Sequence, residues 1–323
     1  MQRVPLFLMI VSVLLIAGGC REKIIPTGTS IAPPATDRLT SVYFHDRETG
    51  FVAGGRRFDL NLIFRTDDGG TSWERQAPFD IFEKIVFNFA FDQNLRGFAV
   101  CYEGKVLRTT DGGQNWQIRQ TEGWMPLRGV AIVDDSVVVV VGGNGYDKGI
   151  IHRSTDAGNT WAVIDTPGYE LRDVVFTSPL TGYACGYGTI IKTTDGGKTW
   201  ALTPAKNEFF SSITFPTPST GIAVGRTGTI VRTTDSGENW EVIRNGSHPQ
   251  NPRHYYNKVK FATPDIGFIV GDNGQILRTE DGGQHWKKVE KETHTHLHDI
   301  YLFSDSEAVV AGESGTLIHL NGL

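Results

Sequence analysis

The stretch Thr193-Thr194-Asp195-Gly196-Gly197-Lys198-Thr199-Trp200 recurs in close copy at residues 66–73, 109–116, 154–161, 233–240 and 279–286. Six of the seven tryptophans end a copy, at Trp73, Trp116, Trp161, Trp200, Trp240 and Trp286, with intervals of 43, 45, 39, 40 and 46 residues. A period in this range defines a repeat architecture and constrains the whole fold. Each copy has the chemistry of a turn. Its aspartate (Asp68, Asp111, Asp156, Asp195, Asp235 or Asp281) accepts hydrogen bonds from backbone N–H groups a few residues on, and its glycine supplies the positive φ that closes the bend. The leading Thr or Ser and the closing Trp then lie on two strands of a hairpin, with the indole offering apolar surface to the next layer.

Around this turn each unit repeats the same parts. A first strand reads apolar-x-apolar, as in Val42-Tyr43-Phe44, Val174-Val175-Phe176 or Ile300-Tyr301-Leu302. A second follows a turn, as in Thr181-Gly182-Tyr183-Ala184-Cys185-Gly186, and a third, such as Gln275-Ile276-Leu277-Arg278, enters the aspartate turn. The Trp opens a fourth. Four short strands per forty-odd residues with no helical periodicity is the pattern of a β-propeller blade. The expectation is an all-β, seven-bladed β-propeller of four-stranded antiparallel blades. The seventh unit, from Asp299, runs out of sequence before its aspartate turn, so an N-terminal strand from Lys23-Ile24-Ile25 or Thr29-Ser30-Ile31 is expected to close the ring. A six-bladed ring with a loose C-terminal hairpin is the alternative.

The amino terminus reads as a targeting segment. Arg3 precedes an apolar run, residues 6–16, too short for an ordinary transmembrane helix. Ala17-Gly18-Gly19-Cys20 then resembles the lipobox of bacterial lipoproteins, in which Cys20 is lipidated. An ordinary secretory signal is the alternative. The resulting division is a signal over 1–19, a lipidated tether and closing strand over 20–36, and the propeller over 37–323. Lipid on Cys20 would anchor the domain to an extracytoplasmic membrane surface without spanning it. Cys101 and Cys185 are expected as buried, unbridged small residues. The net charge of −5 gives no reason to expect nucleic-acid binding, and a monomer is expected.

In such a blade the first-to-second and third-to-fourth turns share one face, and the irregular loops fall on the other, where binding is expected. Arg128, Arg172 and His298 open first strands near the central channel. Loops add Arg56, Arg57, Arg226, Arg253 and His254, with aromatics Trp124, Tyr146, Tyr169, Tyr187, Phe209, Phe210, Tyr255 and Tyr256 between them. A basic, aromatic rim on an acidic protein points to an anionic or extended polypeptide partner. His294, His296 and His298 alternate, so an extended segment would point all three one way, a geometry open to zinc or copper; a free histidine cluster is the expected reading. The carboxylates Asp59, Glu103, Asp147, Glu170, Asp272 and Glu313 lie on the same loops, but no local signature pairs any two of them as a glycosidase requires. No nucleophile elbow, phosphate loop or cofactor motif occurs, and no cofactor is expected.

The eight-residue turn resembles the Asp-box (BNR) repeat of sialidases, sortilin-type receptors, some glycoside hydrolases and the photosystem II stability/assembly factor family, where it is a structural fastener. The early Phe-Arg-Ile-Pro-type segment of sialidases has no counterpart here. From Arg38 to Leu320 the repeat form, best seen over 171–200, is similar to that of the photosystem II stability/assembly factor family. That resemblance implies a non-enzymatic propeller that helps assemble a membrane protein complex through a basic patch, carried here by Arg128 and Arg172. A glycan-binding or glycoside-hydrolysing, sialidase-like propeller is the alternative function.

Overall fold

A computed structural model describes residues 26–32, 34–58, 60–76, 84–145, 148–166, 168–249, 254–290 and 293–323, side chains at 206–208 excepted. The fold is an all-β assembly of antiparallel sheets, and among the described residues hydrogen bonding groups the strands into five sheets of four and one of six. Repeat one is typical: Leu39–Phe44, Gly50–Arg56, Leu60–Thr66 and Glu74–Arg75 pair in chain order. The six-stranded sheet arises because Gly182–Thr193 and Ala201–Thr214 each run through a position where the sequence pattern had placed a break. Pairing of Tyr187 with Phe209 and of Thr189 with Lys206 carries the ladder across the link between repeats four and five. The fourth strands of repeats one and six, Glu74–Arg75 and Lys287–Lys288, are reduced to two charged, exposed residues. Charge at an open edge discourages pairing with another strand.

The core lies between repeats. Second strands such as Gly97–Cys101, Gly221–Gly225 and Gly267–Gly271 are buried throughout, as sheets covered on both faces must be. Each apolar cluster joins two neighbours: Val139, Val141 and Ile151 of repeat three meet Leu171, Val174 and Ala184 of repeat four. Val309, Ala311 and Leu317 of repeat seven likewise meet Leu39, Val42 and Val52 of repeat one. Cys101 and Cys185 are fully buried within these clusters, and burial pushes both thiols up. At the amino terminus, Thr27–Ser30 pairs antiparallel with Leu317–Asn321, and Ile31 N–H donates to Leu317 O at 3.0 Å. The alternative donor, Lys23-Ile24-Ile25, lies outside the described residues, as does Cys20.

The six aspartate turns share one hydrogen-bond scheme. In repeat four Thr193 Oγ1 donates to Asp195 Oδ1 at 2.8 Å, and Thr199 N–H and Oγ1 donate to Asp195 Oδ1 and Oδ2 at 3.0 and 2.6 Å. Gly197 N–H donates back to Thr193 Oγ1 at 2.9 Å. These bonds, that from the Thr199 hydroxyl foremost, hold the Asp195 carboxyl down at about 2. Trp200 closes the unit edge-on against Phe176, with ring centroids 6.0 Å apart. Gly196 N–H donates to Leu180 O at 2.9 Å, which ties the aspartate turn to the first-to-second turn at the same end of the sheet.

At the other end, every first strand carries a register shift just after its first pair with the second strand, at Thr40, Phe87, Arg128, Arg172, Ser211, Asn257 and His298. A β-bulge re-aims the side chain it inserts. First strands of successive repeats lie side by side, and that of repeat seven, Leu297–Leu302, also lies against that of repeat one.

Candidate functional site

The bulges bring charged residues from separate repeats to one place. A cavity of about 200 Å³ is bounded by side chains including Arg128, Arg172, Arg226, Lys258 and His298. A wider space of about 740 Å³ that shares part of this lining adds Arg56, Arg57, Glu170, Tyr187 and Glu313. Arg38, Arg128, Arg172 and Arg226 line both.

Aromatic rings hold the guanidinium groups. Arg128 lies over Phe87 at 4.0 Å, and Arg172 and Arg226 both lie over Phe209, at 5.0 and 4.5 Å. Arg226 also reaches Tyr255 at 5.9 Å, and Arg57 lies over Tyr102 at 4.9 Å. Cation–π contact fixes a guanidinium without consuming its charge. Glu170, 3% exposed, is the carboxylate beside them: its Oε1 is 2.8 Å from Arg172 Nη2 and 3.7 Å from Arg128 Nε. Burial, followed by the Arg172 charge, pushes the Arg128 guanidinium down to about 9, still a cation at neutral pH.

Arg38, by contrast, is neutralised by Glu313, with Nε 2.6 Å from Oε1, and the same carboxylate meets His298 Nε2 at 3.0 Å. Arg56 Nε is 3.6 Å from Asp37 Oδ1. Among the described residues, Arg57 and Arg226 have no carboxylate within ion-pair distance.

One residue further along each first strand lies a second ring, including Ser41, Asn88, Asp173, Ser212, Lys258 and Asp299. Lys258 Nζ lies 3.0 Å from Asp173 Oδ2, which also accepts from Ser212 Oγ at 2.8 Å. Lys260 Nζ lies 3.0 Å from Asp299 Oδ1, and Ser41 Oγ and Val42 N–H donate to Asp299 Oδ2 at 2.9 and 3.0 Å. Burial opposes the Asp299 charge, yet Lys260, Lys258 and the Val42 N–H together hold this carboxyl below its usual range. This belt spans repeats four to seven and one. The sequence reading missed it, although stacking the seven first strands in register exposes the polar third position.

The expected rim residues divide. Arg128, Arg172, Arg226, Arg56, Arg57 and His298 converge. Tyr255 flanks Arg226, whereas Trp124, 71% exposed, stands apart, with Lys105 Nζ 6.0 Å from its ring. Two expected rim aromatics are core residues instead. Phe210 and Tyr256 begin the first strands of repeats five and six and point between sheets, 0% and 2% exposed. The neighbouring Phe209 takes the rim position. The three histidines do not face one way: His296 Nδ1 is 3.3 Å from Asp272 Oδ1, His298 turns to Glu313, and His294 is exposed. The bulge at His298 breaks the alternation. Tyr146, Arg253, Asp59 and Asp147 lie outside the described residues.

Repeated sheets with Asp-box turns, converging on a basic mouth, define a β-propeller of the BNR-repeat class. The family model described as photosynthesis system II assembly factor YCF48 matches residues 28–163, 167–255 and 251–322. The chain belongs to that family. A curated relative, photosystem II assembly lipoprotein Ycf48 of Synechococcus sp. (strain CC9902), is 26% identical over 171 residues, 48% of this chain and 47% of the relative. The alignment thus spans about half the length of that relative. The solved structure of YCF48 bound to D1 peptide superposes with a TM-score of 0.69 at 20% identity, covering 91% of this chain and 94% of that one. YCF48 from Cyanidioschyzon merolae gives 0.70 at 18% identity, covering 91% and 98%. A GH74 xyloglucanase from Xanthomonas campestris gives 0.69 at 16% identity, covering 90% of this chain and 52% of the enzyme. At these identities the superpositions speak for the fold.

Proposed function

We propose that this chain is a non-enzymatic binding scaffold that receives an extended, acidic segment of a membrane-complex protein at its arginine-lined mouth and assists that complex's assembly. The observation that carries the reading is the charge balance there. Among the described residues, Arg57, Arg128, Arg172 and Arg226 face the wider space with Glu170 as the one carboxylate paired with any of them, while Arg38 and Arg56 have their own. Guanidinium groups pre-set on rings suit carboxylate recognition at low ordering cost. The family assignment and the relative's description as an assembly lipoprotein favour the same role.

In this reading the six-stranded sheet counts as two blades, giving seven, and Thr27–Ser30 supplies the outer strand that closes the last. Residues 1–19 are a signal, Cys20 carries lipid, 20–36 are tether and closing strand, and 37–323 form the propeller. The monomer is thereby held at an extracytoplasmic bacterial membrane surface. The test is affinity capture from the native organism's membranes with the mature propeller as bait, beside an Arg128→Glu/Arg172→Glu bait. A membrane protein retained by the first and lost by the second supports the proposal. Identical retained sets would sink the proposed face, and glycan-binding and glycosidase assays would then decide on the alternative.

A further inference from the structure

We infer that Glu170 is the specificity-determining residue of the mouth, selecting ligands that carry single, spaced carboxylates and rejecting compact dianions such as phosphate esters. This rests on the reading of the mouth as a polypeptide-binding site.

Glu170 is built in from several directions. Its Oε2 accepts from Gly145 N–H at 2.8 Å, and its own N–H donates to Gly145 O at 3.1 Å. Its carbonyl accepts from Tyr187 N–H at 2.9 Å, and that carbonyl packs so close to Gly186 that a Cβ there would lie 1.9 Å from it. The carboxylate is therefore fixed between Arg128 and Arg172 and cannot swing away without releasing the Gly145 loop that walls the space.

A fixed resident charge discriminates by repulsion as well as by neutralisation. A dianion doubles both its attraction to the guanidinium groups and its repulsion by Glu170, so the discrimination lies in position: Arg128 and Arg172, which a compact phosphate would bridge, are the two groups that Glu170 already engages. A peptide with separated carboxylates can instead use Arg226 and Arg57, which have no acidic partner among the described residues, and leave Arg172 to Glu170. An arginine cluster without Glu170 would take any polyanion. Specificity built from an unfavourable contact with the wrong ligand is a general device.

Two synthetic peptides of equal charge at pH 8 test this: a Gly/Ser-spaced peptide with six glutamates (hexaglutamate), and a Gly/Ser-spaced peptide with three phosphoserines. Binding to the mature chain is read by fluorescence anisotropy, and melting curves check that each variant is folded. Wild type should prefer hexaglutamate. Glu170→Gln keeps an oxygen for Gly145 N–H but removes the charge, and should strengthen phosphopeptide binding roughly tenfold while hexaglutamate gains about threefold or less. Glu170→Asp, which keeps the charge, should retain the wild-type preference. Equal gains for both peptides, no gain, or an aspartate variant behaving like the glutamine one would overturn the inference. Arg226→Glu separates the two levels. If wild type binds neither peptide, the polypeptide-binding reading itself fails. If hexaglutamate binds and Arg226→Glu abolishes it while Glu170→Gln leaves the preference unchanged, only the role of Glu170 falls.

Discussion

Lys258 of repeat six reaches past repeat five to bind Asp173 of repeat four, Nζ to Oδ2 at 3.0 Å. Ser212 of the intervening repeat donates to the same oxygen, so one carboxylate oxygen ties three repeats at the channel wall. The ammonium and the carboxylate are both largely buried, with side chains 16% and 8% exposed. Lys258→Met leaves Asp173 without its cation and should cost about 3–5 kcal/mol in denaturant unfolding, while Lys258→Met/Asp173→Asn should cost less than the single change. A double change that costs the sum of Lys258→Met and Asp173→Asn made singly would mean that the pair is not coupled.

The aspartate turns give a second expectation. Asp195→Ala removes the acceptor for Thr193 and Thr199 and should lower stability by about 1–3 kcal/mol, with no change in ligand affinity at the opposite end of the sheet. Because the folded carboxyl sits at about 2, below the ordinary value near 3.8, its contribution is complete above pH 4 and is lost as the pH falls towards 2. Thermal melts of wild type and variant across this window should converge at the acid end.

His152 has the opposite liability. It is 1% exposed on Gly149–Ser154, neither ring nitrogen has a hydrogen-bond partner among the described residues, and burial lowers it to about 4 from 6.5. The folded state therefore needs the neutral ring. Stability is full above about pH 6.5 and declines as the pH drops towards 4, by on the order of 3 kcal/mol. His152→Leu should flatten that decline in urea titrations at pH 7 and pH 5. A variant that tracks wild type at both values would show that the decline does not come from His152.

Gly186 and Gly188 make a paired test of space against backbone conformation. A Cβ at Gly186 meets the Glu170 carbonyl at 1.9 Å, whereas at Gly188, with φ +64°, nothing lies within 4 Å. Gly188→Ala should cost about 1–2 kcal/mol from the left-handed backbone alone. Gly186→Ala should cost more and also erode the preference for hexaglutamate over the phosphopeptide, since it displaces Glu170. Equal melting temperatures would contradict the crowding.

The turn motif made the fold legible. Thr-x-Asp-x-Gly-x-x-Trp encodes a local hydrogen-bond scheme, and local schemes survive in one dimension; the strand order followed from it. The site was legible where charge and position coincide, as at Arg128, Arg172 and Arg226. It was illegible where a bulge decides which of two adjacent residues faces the channel. Phe209 and Phe210 are indistinguishable by type, yet one seats two guanidinium groups and the other fills the core. Glu170 was visible only as one loop carboxylate among several, because its importance comes from Arg128 and Gly145, 42 and 25 residues away in the chain. The lysine–aspartate belt was hidden for the same reason.

The unbroken strand Ala201–Thr214 has a consequence for how a partner is measured. Phe209 lies within it, and both Arg172 and Arg226 ride on that ring. The interval between the two guanidinium groups is therefore set by a single aromatic side chain on a continuous backbone, with no hinge in between. On the proposed function, the mouth would work there as a gauge of fixed width: a ligand whose acidic groups match the interval would dock without adjustment by the protein, and one that does not match would have to deform itself.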